Sequence, residues 1–113
     1  PVPAADERIE RVLEHLRLHY PDREVTRLSV LASIAQVTPT HLSRLMRKRT
    51  GEGVVAHARK LRITRAVELL NRGDTIAGAA HSVGYRHQAD FSRDFQRVMG
   101  ITPGRFLRHG RPN

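Results

Sequence analysis

The chain contains no cysteine, which excludes disulfides, cysteine-ligated zinc and thiol catalysis together and makes the cytosol the expected compartment. Acid is also scarce. Eleven Asp and Glu stand against 20 Lys and Arg, a formal net charge of +9, and an imbalance of that size is expected of a chain that meets a polyanion. No apolar run approaches the length that spans a bilayer, and no basic segment carries a bulky aromatic face, so nucleic acid is favoured over a membrane surface. No stretch alternates as a strand would, so the expected fold is all-α. With 113 residues, 39% of them apolar, the chain can build one compact domain or two very small ones sharing a helix. Its start, Pro1-Val2-Pro3-Ala4-Ala5-Asp6, has neither the charged beginning nor the apolar stretch of a signal peptide and lacks an initiating Met. It reads as an interdomain linker cut short, and the chain as a module of a longer protein.

What is present is said twice. Residues 42–51 read Leu-Ser-Arg-Leu-Met-Arg-Lys-Arg-Thr-Gly and residues 91–100 read Phe-Ser-Arg-Asp-Phe-Gln-Arg-Val-Met-Gly, with Ser, Arg and Gly in the same slots. Upstream, Leu31-Ala32 and Ala35-Gln36-Val37 correspond to Ala79-Ala80 and Val83-Gly84-Tyr85. The offset is 48 between Leu31 and Ala79 and 49 between Leu42 and Phe91, so the second copy carries one extra residue in its turn. Each copy then reads as helix, tight turn, helix, the sequence form of a helix-turn-helix.

The spacing of Ile9, Val12, Leu13, Leu16 and Tyr20 predicts an amphipathic helix over about 6–20, ended by Pro21-Asp22. A second helix is expected from near Thr26, burying Leu28, Leu31, Ala32 and Ala35. Thr38-Pro39 supplies an N-cap and a first-turn Pro for a third helix running to about Thr50, with Leu42, Leu45 and Met46 inward. After Gly51-Glu52-Gly53 the longest helix runs from Val54 to about Leu70, closed by Asn71-Arg72-Gly73-Asp74. Thr75 caps a short helix on Ile76, Ala79, Ala80 and Val83. Gly84 makes the turn into a helix from about His87 to Met99 on Phe91, Phe95 and Met99. Gly100 stops it, and Thr102-Pro103 opens a short last helix carrying Phe106. The expected domains are a linker remnant (1–6), a first helix-turn-helix subdomain (7–53), a connecting helix (54–71), a second subdomain (72–108) and a flexible tail (109–113).

In a helix-turn-helix the second helix lies in the major groove, and the residues it needs outward are polar and basic. Thr40, Ser43, Arg44 and Arg47 meet that need in the first copy. The second offers His87, Gln88, Ala89, Ser92, Arg93 and Arg97. Arg reads guanine in bidentate fashion, Gln reads adenine, and the Thr methyl can meet thymine. Thr38, Arg47, Lys48, Arg49, Arg86 and Arg97 are the expected phosphate contacts, since at least half of such bonds go to the backbone.

These segments resemble the DNA-binding domain of AraC/XylS-family transcription regulators over about Glu7 to Arg108. The resemblance rests on Thr38-Pro39-Thr40-His41-Leu42-Ser43-Arg44-Leu45, on Leu61-Arg62-Ile63 with Ala66 and Leu69-Leu70, and on Ile76 with Ala79-Ala80. It rests most of all on Val83-Gly84-Tyr85, Phe91-Ser92-Arg93 with Phe95, and Gly100-Ile101-Thr102-Pro103 with Phe106. It implies about seven helices in two homeodomain-like three-helical units joined by the long central helix. It also implies two recognition helices in successive major-groove segments, with base-reading slots at Thr40, Ser43 and Arg44 and at Gln88, Ala89, Ser92 and Arg93.

Several residues depart from the family pattern. Gln36 stands where Gly is usual in the first turn, Arg86 replaces a capping Ser or Asp, Ala79 is smaller than the common Ile or Val, and His57 replaces a Tyr. Asp90, an acid near the groove face, repels phosphate unless it accepts from a cytosine amine or pairs with Arg86 or Arg93. His15 and His19 have the i, i+4 spacing of metal ligands, but two ligands without a third make a poor site, and packed or solvated histidines are expected at 15, 19 and 57.

The expectation is a sequence-specific duplex-DNA-binding module of a bacterial transcription regulator, with no catalysis, cofactor or metal. Its partners would be an operator and, in the full-length protein, RNA polymerase, and the isolated domain is expected to be a monomer. Two rivals are a DNA-targeting module of a repair methyltransferase and a helical protein-interaction bundle.

Overall fold

A computed structural model describes residues 5–110. Most of the expected linker remnant and tail therefore lies outside the described residues. Within them every regular element is helical: α1 (Ala5–His19), α2 (Leu28–Ala35), α3 (Pro39–Thr50), α4 (Val54–Asn71), α5 (Ile76–Ser82), α6 (Gln88–Met99) and α7 (Pro103–Arg105), the last continued by a wider π-type turn over Phe106–Gly110. This is the all-α, seven-helix architecture expected. No helix among the described residues is long and apolar enough to cross a membrane. The chain divides into two compact units, Pro1–Ala58 and Arg59–Asn113. The division falls inside α4, whose residues up to Ala58 belong to the first unit and from Arg59 to the second.

In the first unit α1, α2 and α3 pack against one another, and Ile9, Val12 and Leu16 of α1, Leu31, Ala32 and Ala35 of α2, Leu42 and Met46 of α3, and Val54 and Ala58 of α4 are all buried. Fully burying a side chain of this kind contributes about 1.5–3 kcal/mol, so these residues hold α3 in place. Leu45, expected inward, is half-buried. The segment between α1 and α2 explains why α2 starts at Leu28 and not at Thr26. Asp22 Oδ1 accepts from the backbone N–H of Glu24 at 2.9 Å and of Val25 at 3.3 Å, while the Thr26 hydroxyl donates to the Asp22 carbonyl at 2.7 Å. These local bonds compete with the helix and delay it. His15 fastens the same segment to α1, its Nε2–H donating to the Val25 carbonyl at 2.7 Å.

The second unit is built around aromatics. Tyr85, Phe91, Phe95 and Phe106 are buried and touch in sequence, with ring centroids 5.4, 5.6 and 5.7 Å apart. The first and last pairs meet edge to face, an arrangement that stabilises by about 0.5–1.5 kcal/mol beyond burial. Ile63, Ala66 and Leu70 of α4, Ala79, Ala80 and Val83 around α5, and Pro103 complete this core. Met99, expected on the inner face, is instead 39% exposed. It lies eight positions after Phe91 and four after Phe95 at the last turn, where α6 has run past the core. Arg62 is 5% exposed, and no buried side-chain nitrogen or oxygen among the described residues lacks a hydrogen-bond partner.

Candidate nucleic-acid interface

The two turns share a left-handed residue and the same hydrogen-bond pattern. After α2, Gln36 adopts the left-handed conformation (φ 58, ψ 41). Its N–H bonds to the Ser33 carbonyl and that of Val37 to the Ala32 carbonyl, both at 3.1 Å. After α5, Gly84 is left-handed (φ 99), with Gly84 N–H bonded to the His81 carbonyl at 3.1 Å and Tyr85 N–H to the Ala80 carbonyl at 3.0 Å. Each is a Schellman close with a buried or half-buried side chain following it. Gln36 is the only non-glycine residue with positive φ among the described residues, in the turn position where the family pattern places Gly.

The copies diverge just after the turn. Thr38 follows Val37 directly and caps α3, its hydroxyl accepting from the His41 N–H at 3.1 Å, while Pro39 opens the helix. In the second copy Arg86 intervenes, and the residue at the N-cap is His87 (φ −122, ψ 128), which makes no side-chain cap bond. The expected correspondence of Arg86 with a capping residue is therefore corrected by one position. His87 accordingly lies outside α6, which begins at Gln88.

Once in the helices the slots coincide at an offset of 49. At about 100° per residue, Leu42 and Met46 set the buried stripe of α3, which leaves Thr40, Arg44 and Arg47 opposite it, flanked by His41 and Lys48. All five are exposed, and Ser43 is half-buried at the margin. On α6, Phe91 and Phe95 are buried, Ala89, Arg93, Gln96, Arg97 and Asp90 are exposed, and Ser92 is half-buried in the slot of Ser43. Gln88 is exposed in the first position, matching Pro39. At the offset of 49, exposed Gln96 falls in the slot of Arg47.

Arg49 is the exception among the basic residues. It follows Leu42 by seven positions and Leu45 by four, so it projects along the core side of α3, where Nη2 donates to Glu10 Oε1 of α1 at 2.6 Å. Its helical phase sends it toward α1, so the phosphate contact expected of it would need this ion pair to open. Arg47 keeps to the outer face, and its guanidinium rests against Gly53, where an added Cβ would lie 3.5 Å from Nη2.

The charge of the two faces is unequal. α3 carries Arg44, Arg47, Lys48 and Arg49 and no acid, whereas α6 sets Asp90 and Asp94 against Arg93 and Arg97. Asp90 Oδ1 accepts from Arg93 Nη2 at 3.2 Å, one of the pairings anticipated for it. Asp94 faces the other way. It accepts from the Tyr85 hydroxyl at 2.7 Å and lies 3.6 Å from Arg59 Nε of α4.

A family model described as a helix-turn-helix domain matches residues 31–109. The arabinose operon regulatory protein of Escherichia coli (strain K12) is 31% identical over 108 residues, 92% of this chain and 36% of that protein. The chain belongs to the AraC family of helix-turn-helix proteins. The C-terminal domain of AraT, a response regulator from Geobacillus stearothermophilus, superposes with a TM-score of 0.84 at 27% identity, covering 94% of this chain and 88% of that one. The bifunctional transcriptional activator/DNA repair enzyme Ada of Escherichia coli (strain K12) is 28% identical over 110 residues, 97% of this chain and 30% of that protein. The chain spans about a quarter to about a third of the length of the curated relatives it matches. Within the AraC-family pattern, Arg62 and Ile63 of the connector motif are buried, so that motif packs the second unit, while Thr40, Arg44, Ala89 and Arg93 are exposed on α3 and α6.

Proposed function

We propose that each unit lays the N-terminal half of its second helix, α3 or α6, in the major groove of duplex DNA. The chain is then the DNA-binding module of a longer bacterial transcription regulator. One observation carries the reading: two left-handed turns with the same hydrogen-bond pattern each lead into a helix whose exposed face holds Arg in the same slot, Arg44 and Arg93. Base edges are read by Thr40, Ser43 and Arg44 in one half-element and by His87, Gln88, Ala89, Ser92 and Arg93 in the other. Thr38, Arg47, Lys48, Arg86 and Arg97 meet phosphates, and the excess of positive charge makes their share of the affinity salt-dependent. The partner is an operator in the bacterial cytoplasm, with RNA polymerase engaged by the whole regulator and the isolated module a monomer. No catalytic step is assigned to this chain. Its similarity to Ada supports a second reading, in which the same DNA-binding module serves a repair enzyme whose chemistry lies elsewhere.

Selection of bound sites from a random duplex library tests the reading. It should yield two unlike half-elements with centres about one helical turn, ~34 Å, apart. Absence of any enriched sequence, together with binding indifferent to salt, would refute it in favour of a protein-interaction bundle.

A further inference from the structure

Asp90 is unusual in position. It is the third residue of α6, 52% exposed by side chain, and its carboxylate holds the guanidinium of Arg93, itself 66% exposed. The slot it occupies is that of His41 in α3. An acid in a first turn is favoured by the helix dipole, and that explains its tolerance. It does not explain why the acid engages the one Arg that both helices share. A groove flanked by phosphates repels a carboxylate wherever no base donor meets it. The outer face of α3, with Arg44, Arg47 and Lys48 and no acid, has no such term, whereas on that of α6 the acid Asp90 stands among Arg93 and Arg97.

We infer that Asp90 is a specificity-determining residue of the second reading helix, accepting from the N4 amine of a cytosine while Arg93 takes a guanine edge of the same or the adjoining pair. The inference rests on the DNA reading proposed above. Cytosine is preferred over adenine, the other major-groove amine, because adenine places the N7 acceptor beside its amine, against the second carboxylate oxygen. A C·G pair presents N4–H on one base and O6 and N7 on the other, so an Asp–Arg pair can meet it without separating. Unit one thus adds the larger share of sequence-independent attraction to its own base readers, and unit two relies more on discrimination.

Site selection and titration on random duplex, run on the full chain and on Asp90→Asn and His41→Asp, test this. Asp90→Asn is expected to bind random duplex about tenfold tighter and to exchange cytosine for adenine at one position of the second half-element, as Asn reads adenine. His41→Asp puts an acid in the matching slot of α3 and should do the reverse, binding random duplex about tenfold more weakly and gaining a cytosine in the first half-element. Should Asp90→Asn unfold, shown by its thermal transition, His41→Asp carries the test alone. If the unaltered chain selects sites while both variants keep its preference and its random-duplex affinity, Asp90 serves only the helix end and the inference falls, with the DNA reading intact. If the unaltered chain shows no salt-dependent duplex binding, both fall.

Discussion

The Tyr85 hydroxyl donates to Asp94 Oδ2 at 2.7 Å, and the other oxygen of that carboxylate lies 3.6 Å from Arg59 Nε. One side chain therefore ties the turn, α6 and α4 of the second unit together. In the first unit the corresponding slot holds Leu45, half-buried and apolar. The carboxylate replaces a packing contact with a bridge at the edge of the aromatic core. Tyr85→Phe should lower stability by about 1.5–3 kcal/mol, the range for a bond to a charged group. Asp94→Ala should cost at least as much, because it also releases Arg59. Chemical denaturation of both and of the double variant measures the coupling. If the two losses simply add, the bridge is not a unit.

The turns make a paired prediction. Gln36 holds a left-handed backbone that costs an L-residue about 1–2 kcal/mol, whereas Gly84 adopts it freely. Gln36→Gly is expected to stabilise the protein by about 0.5–1 kcal/mol, the relieved strain less the greater freedom of Gly in the unfolded chain. Gly84→Ala should destabilise by a similar or larger amount. Urea midpoints at constant m-value check both. A Gln36→Gly protein no more stable than its parent would mean that Gln36 is not strained.

Much of this was legible in the sequence because the signals were local. Thr38, Thr75 and Thr102 cap helices where their hydroxyls accept from the His41, Gly78 and Arg105 N–H groups, and the repeat offset fixed both turns. What was missed depends on tertiary partners. Asp94 needed Tyr85 and Arg59 beside it, and α2 started late because Asp22 and Thr26 formed a local bonded turn. Composition groups Arg49 with its basic neighbours, whereas its phase on the Leu42–Leu45 stripe points toward α1. Which exposed residues touch bases follows from no helical period, since the partner that decides it is another molecule.

Acid should weaken α1 slightly. The hydrogen bond from Arg17 holds the Glu14 carboxyl below its usual value, opposed by desolvation and aided by the Arg17 charge. A carboxylate with a depressed folded pKa contributes stability above its unfolded pKa and loses it as pH falls through the folded pKa. The pair is exposed, so the effect is small and screened by salt. Glu14→Gln should match the parent at a pH below the folded value and fall behind it at neutral pH. A difference that persists unchanged into acid would assign the effect to something other than ionisation.

The three basic positions Arg49, Lys48 and Arg93 separate packing, phosphate affinity and readout. Arg49 is held by Glu10 on the α1 side of α3, so Arg49→Ala should leave the salt dependence of DNA binding unchanged and reduce stability by no more than about 1 kcal/mol, as for an exposed ion pair. Lys48 stands on the outer face, and Lys48→Ala should weaken all duplexes alike and flatten the slope of log K against log salt by ~0.9 for the lost phosphate contact. Arg93→Ala should cost ~1–3 kcal/mol on the selected site and relax one position of the second half-element, with far less effect on random DNA. Titrations at several salt concentrations on selected and random duplexes distinguish the three. If Arg49→Ala flattened the slope as Lys48→Ala does, its bond to Glu10 would have to open on DNA and the helical phase would not decide its role.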